Sequence, residues 1–266
     1  MRHSRRRRRS RYRQRRVISW VLLWILMLSV SFGLVSVFVL HFLGGNSAIS
    51  VTSLDWAGYS VSSDVADPKP VVTGVSGSWV VPEVTISQED AFSAVWIGIG
   101  GQSDQTLIQT GTEQDSVGGE AVYFAWYEVL PDFAVMISEL NVSSGDVISA
   151  SIGLVESAAD MWLVSIIDES TGQRFEKTVV YMSSRLSAEW IVERPTVNNN
   201  MIGRLADFSS VTFTNLRTTV DGVTATMNSF PFSRVEMVNR QNDGLASVSA
   251  FSPKTESFSV SFLASG

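Results

Sequence analysis

Two kinds of hydrophobic patterning divide the chain. Val17 to Leu43 is an apolar run of 27 residues with no formal charge at neutral pH. From Trp56 onward the apolar stretches are short, rich in β-branched and aromatic residues, and separated by Gly, Ser, Asn and Asp. The pattern predicts strands over 77–85, 94–99, 121–129, 147–154, 162–167, 175–181, 188–192, 211–215 and 257–263. Turn chemistry falls between them: Ser170-Thr171-Gly172, Asp221-Gly222 and Asn242-Asp243-Gly244. No stretch of this region carries a long, capped 3.6-residue apolar period. The expected fold is all-β, a sandwich or barrel, with no internal repeat and no second domain.

The first run has a different meaning. As a helix it would be ~40 Å long at about 1.5 Å per residue, more than the ~30 Å hydrocarbon core. It follows a basic arm, residues 1–16, which the positive-inside rule keeps in the cytoplasm. The expected organisation is therefore arm 1–16, transmembrane signal-anchor 17–43, polar tether 44–53 and an extracytoplasmic body 54–266. The alternative is a cleaved signal peptide and a secreted body. The length of the run and the poor cleavage site at Asn46-Ser47-Ala48 favour the anchor.

Charge follows the same division. Of 20 Lys and Arg residues, ten lie in the arm, where there is no acid; the remainder of the chain has ten bases against 26 acids, a formal net charge of −16. An acidic body does not suit nucleic acid as a partner. There is no cysteine, and both histidines, His3 and His41, precede the body. That excludes Ser-His-Asp and Cys-His catalysis in the body and any His- or Cys-ligated zinc. No metal and no cofactor is expected. Acid–base chemistry, if the body performs any, falls to carboxylates.

One strand carries a suggestive carboxylate. In Ser187-Ala188-Glu189-Trp190-Ile191-Val192-Glu193, alternation puts Glu189, Ile191 and Glu193 on one face and Trp190 and Val192 on the other. Such a glutamate is either exposed at a rim or buried for a purpose; from the segment alone, exposure is the ordinary reading.

Eight segments in order then carry a resemblance. They are Trp56-Ala57-Gly58-Tyr59, Gly77-Ser78-Trp79-Val80-Val81-Pro82, the stretch from Ser93 to Gly101 (SAVWIGIGG), and Leu107-Ile108-Gln109-Thr110-Gly111. They continue with Ala125-Trp126-Tyr127-Glu128, Ser143-Ser144-Gly145-Asp146, the stretch from Ala188 to Glu193 (AEWIVE), and Ala206-Asp207-Phe208. Together they resemble the glutamic peptidases, or eqolisins, over about Trp56 to Leu263. The resemblance implies a lectin-like (concanavalin A-like) sandwich, an acid endopeptidase activity on protein or peptide substrates, and a catalytic pair at Gln109 and Glu189. It implies cleft positions at Trp56, Trp96, Trp126, Tyr127 and Glu128. Trp79, Trp162 and Trp190 are expected in the core.

Peptide hydrolysis needs an activated water, a proton for the leaving amine and a donor to the oxyanion. In the implied mechanism Glu189 supplies both proton transfers, while the Gln109 carboxamide orients the water and donates to the oxyanion. The sequence departs from many relatives at Gly100 and Glu113, where Asp is common. The tether is too short for a self-inhibitory propeptide to be expected, and a monomeric body is the default. Two other functions fit the composition: a non-catalytic carbohydrate- or protein-binding ectodomain, and a glycosidase pairing Glu189 with Glu128 across strands.

Overall fold

The computed structural model describes residues 49–197 and 201–266. The basic arm, the apolar run expected to span a membrane, and the first part of the tether lie outside the described residues. Among the described residues no helix is long and apolar enough to cross a membrane, and the helices there are two single 3₁₀ turns, Ser157–Ala159 and Met227–Ser229.

The strands in chain order are β1 (Ile49–Ser53), β2 (Trp56–Ser62), β3 (Val72–Val80), β4 (Ala94–Gly100), β5 (Leu107–Val117) and β6 (Glu120–Val129). There follow β7 (Val135–Met136), β8 (Val147–Glu156), β9 (Met161–Asp168), β10 (Gln173–Val180), β11 (Ser187–Glu193) and β12 (Thr196–Val197). The last are β13 (Met201–Ile202), β14 (Ser210–Val220), β15 (Val223–Thr226), β16 (Phe232–Val238), β17 (Gly244–Val248) and β18 (Phe258–Phe262).

They form two packed sheets, the sandwich that the resemblance implies. The front sheet runs β7-β6-β5-β4-β11-β2-β16-β17-β18, and the back sheet β10-β9-β8-β3-β14 with β15 at its edge. Strand β14 belongs to both. Its Ser210–Phe213 half pairs with β18 and its Thr214–Val220 half with β3. The switch occurs at a register shift beside Asn215, whose φ of 55° turns the strand. The two-residue turn Asp221-Gly222, with φ of 50° and 75°, closes the β14–β15 hairpin in the type I′ geometry that strand twist favours.

Between the sheets lies the main core, which includes Tyr59, Trp79, Ile97, Ile99, Trp162, Trp190, Phe213 and Phe258. The three core tryptophans sit where the sequence places them, and each finds an acceptor. Trp190 Nε1 donates to Ser76 O at 2.9 Å, Trp79 Nε1 to Thr112 Oγ1 at 3.0 Å, and Trp162 Nε1 to Tyr181 O at 2.9 Å. Trp190 reaches the back sheet because Gly77 has no side chain: a Cβ there would lie 2.8 Å from the indole. Each large side chain buried here contributes roughly 1.5–3 kcal/mol.

Two expectations need correction. The second half of the polar tether is a strand: β1 pairs in parallel with β16, Ile49 opposite Ser233 and Ser53 opposite Met237. The strand expected over 77–85 starts earlier, at Val72, and ends at Val80 just before Pro82, which cannot donate to a ladder.

Candidate active site

The other face of the front sheet carries the site. Alternation along β11 turns Trp190 into the core and Glu189 to this face. Register then assembles a row across the sheet. Glu189 lies opposite Ser60 on β2 and Gly98 on β4; Gly98 lies opposite Gln109 on β5; Gln109 lies opposite Glu128 on β6. Gln109 and Glu189 are thus two strand spacings apart, about 10 Å between backbones, with only a glycine between them. Gly98 is required there: a Cβ would lie 2.9 Å from both Leu107 Cδ1 and Trp96 Cζ3 and 3.3 Å from Gln109 Cβ. The second row holds Ile191, Trp96, Gly111 and Trp126, and the third holds Trp56, Glu193, Ala94 and Glu113.

This face is dry. Glu189 is 0% exposed and Gln109 5%, so the rim-exposed reading of Glu189 is wrong. A satellite apolar cluster that includes Trp56, Trp96, Leu107, Trp126 and Ile191 packs around it. Trp56 and Trp96 meet edge to face with centroids 4.9 Å apart. Trp96 Nε1 donates to Glu193 Oε2 at 2.8 Å. Gln109 Nε2 donates to Glu128 Oε2 at 2.6 Å. Ser60 Oγ donates to Glu189 Oε1 at 3.3 Å. Two acceptor atoms at the centre, Gln109 Oε1 and Glu189 Oε2, make no hydrogen bond among the described residues, whereas the Trp126 indole reaches the carboxyl of Glu113.

Burial sets the electrostatics. It pushes the Glu189 carboxyl well above the usual range, opposed in part by the Ser187 and Ser60 hydroxyls. It pushes Glu128 up to about 8, helped by the charge of Glu193 and opposed by the Gln109 hydrogen bond. Glu113 and Asp115, on the same face of β5, are also held well above their ordinary values, first by burial; the charges of Asp115, Glu193 and Glu128 add to the effect on Glu113. No group of His, Cys, Asp and Glu among the described residues is arranged to hold a metal ion.

The structure thus brings together Gln109, Glu189, Glu128, Trp56, Trp96 and Trp126. Tyr127 does not join them. It follows Trp126 in the strand and therefore points to the opposite face, where its ring stacks on Phe175 with centroids 5.4 Å apart. Sequence reasoning misses Ser60, Gly98 and the hydrogen bond from Trp96 to Glu193, because each depends on cross-strand register. The glycosidase pairing fits poorly. Glu128 and Glu189 stand three strand spacings apart, about 14 Å between backbones, and the carboxyl of Glu128 is engaged by Gln109.

Comparison with known proteins agrees with this architecture. A family profile described as the Peptidase A4 family matches residues 54–262. Aspergillopepsin-2 of Aspergillus niger is 29% identical over 194 residues, 65% of this chain and 66% of that protein. Scytalidopepsin B of Scytalidium lignicola is 29% identical over 186 residues, 66% of this chain and 69% of that protein. The chain thus spans about two thirds of the length of these relatives. Among solved structures, scytalido-glutamic peptidase with a transition state analog inhibitor superposes with a TM-score of 0.66 at 25% identity, covering 79% of this chain and 98% of that one. Aspergilloglutamic peptidase from Aspergillus niger gives 0.57 at 28% identity, covering 65% and 99%. The chain belongs to the Peptidase A4 family, the glutamic endopeptidases or eqolisins.

Proposed function

We propose that this chain is an acid endopeptidase in which Glu189 and Gln109 hydrolyse the peptide bond over Gly98. The observation that carries the reading is the catalytic row itself. A carboxyl and a carboxamide, both buried, lie in one row on either side of a glycine, each with one oxygen that makes no hydrogen bond. A water molecule offers two O–H donors and suits two such acceptors. In the first step Gln109 Oε1 and Glu189 Oε2 orient that water, and ionised Glu189 takes its proton as the oxygen attacks the scissile carbonyl. The second N–H of Gln109 Nε2, the first being held by Glu128, donates to the oxyanion. In the second step protonated Glu189 gives its proton to the leaving nitrogen as the C–N bond breaks.

A water donating to Glu189 Oε2, together with the Ser60 hydroxyl on Oε1, would favour its ionised form and oppose the upward push of burial. The acid preference has a separate cause. Glu113, Asp115 and Glu128 are buried together, and protonation removes the repulsion that ionisation would bring.

The experiment is cleavage of a denatured protein by the full chain in mild detergent from about pH 2 to pH 8, with Gln109→Ala and folded Glu189→Gln controls. Activity lost in both controls and insensitive to EDTA supports the reading; activity retained in Glu189→Gln rejects it. We further read Val17–Leu43 as an anchor that keeps the body on the outer side of a membrane, because its length exceeds that of a signal peptide's apolar region. Flotation of the full chain with lipid vesicles tests this.

A further inference from the structure

The position of β1 says where the body meets what precedes it. Ile49 pairs with Ser233, Ser233 with Ser60, and Ser60 with Glu189. The first residue of β1 therefore sits in the catalytic row, three strand spacings or about 14 Å from Glu189. Only six residue steps, at most about 20 Å of extended chain, separate Ile49 from Leu43 at the end of the apolar run.

Direction follows from the pairing. β1 is parallel to β16, which is antiparallel to β2. The chain before Ile49 therefore points to the strand end marked by Ser62 on β2 and Ser187 on β11, a paired couple.

Exposed apolar side chains lie at both strand ends, with Ile86 and Met201, 57% and 61% exposed, at the far one. At the near end Leu107, opposite Gly100 at the start of β5, is tied to two neighbouring segments. Its N–H donates to Tyr181 Oη at 2.8 Å and its carbonyl accepts from the Leu130 N–H at 2.9 Å. Met182 and Val180 flank Tyr181, and Phe133 lies three residues after Leu130; they are 79%, 72% and 49% exposed. Leu263, also 56% exposed, is at the other end. Its N–H donates to Leu245 O, and Leu245 lies beside Gly266 near Arg194, which follows the last residue of β11.

We propose that the end bearing Phe133, Val180 and Met182 seats on the surface of the membrane that holds the N-terminal anchor, making this a peptidase for polypeptide segments lying close to the bilayer. The proposal rests on the anchor and peptidase readings above. The short connection leaves the body little freedom to stand away from the bilayer, and the direction of its exit puts this end nearest the lipid. Asp104 and Asp132 are exposed at the same end, so a zwitterionic surface suits it better than an anionic one. Anchored beside its substrate, the enzyme gains effective concentration without any new contact.

The chain has no cysteine, so single labels are clean. Full chains carrying Met182→Cys or Leu263→Cys are labelled with a fluorophore and placed in phosphatidylcholine vesicles containing a headgroup nitroxide lipid. The expected result is flotation with the vesicles, loss of fluorescence at position 182 and none at 263. A floating chain whose label at 182 is no more quenched than that at 263 overturns the proposal. So does a label at 182 that reports self-association in detergent without lipid, which would make this end a contact between copies. A chain that fails to float removes the anchor and the proposal together, while cleavage of a soluble peptide, read separately, judges the peptidase reading alone. In a functional arm, Val180→Glu with Met182→Glu should slow cleavage of a peptide held to the vesicle by a short linker about tenfold, and leave a soluble peptide unaffected.

Discussion

The two faces of the front sheet are equally buried and differently finished. In the core that the inner face shares with the back sheet, the N–H groups of Trp190 and, from the back sheet, Trp79 and Trp162 all reach acceptors. On the outer face Trp56 Nε1, Gln109 Oε1 and Glu189 Oε2 are buried and make no hydrogen bond among the described residues. A buried polar atom left without a partner costs roughly 1–3 kcal/mol. The inner face is built to be stable; the outer face holds groups that a substrate and a water can satisfy. Burial alone does not separate core from site here, whereas satisfaction does.

The comparison can be broken in stages. Trp190→Ala opens the inner face and should destabilise the domain by about 3–5 kcal/mol, read by denaturant unfolding, whereas Trp126→Ala should cost markedly less stability and more activity. Gln109→Ala should lower kcat by about 10²–10³-fold with little change in melting temperature. Gly98→Ala should cost on the order of 10²-fold in kcat, because a Cβ pushes Trp96 and Leu107 out of place beside both catalytic side chains.

Acidity sharpens the contrast further. The folded pKa of Glu128, about 8, stands above its ordinary value of 4.5. Between these values the native state holds more protons than the unfolded chain. The contribution is therefore complete below about pH 4.5 and is lost as pH rises to about 8, a change on the order of a few kcal/mol. Melting temperature measured against pH should fall over that window, and Glu128→Gln should flatten the fall. The smallest effect is expected from Ser60→Ala. Removing the donor to Glu189 Oε1 should move the acid limb of the rate profile to higher pH while changing the plateau rate less than about tenfold.

Much of the fold is legible from pattern. β4 stands out as a short apolar run and β11 by its Glu-Trp-Ile-Val-Glu alternation, and Asp221-Gly222 marks its hairpin. β5 escapes notice because Gln109, Thr110, Thr112, Glu113, Gln114 and Asp115 look like a polar loop. In the structure all six are buried: the even-numbered ones bond inward, as Thr112 does to Gln114 and Trp79, and the odd-numbered ones build the site. Tyr127 illustrates the opposite error, in which closeness to Trp126 and Glu128 along the chain is taken for closeness in space, although strand alternation separates them. Gly98 and Ser60 have no signal of their own, because their place between and beside Glu189 and Gln109 exists only once the strands are in register. Ile49–Ser53 reads as tether because β1 is short and its pairing partner β16 lies more than 180 positions away.

The most direct test of the catalytic pair is single-turnover cleavage by Glu189→Gln. The substitution keeps the size of the side chain and removes a buried ionisable group, so the folded protein should melt no lower than the parent. Cleavage lowered by at least about 10³-fold at every pH, with the fold retained, is the predicted result. A folded Glu189→Gln protein that cuts peptide at near the parent rate would contradict the account.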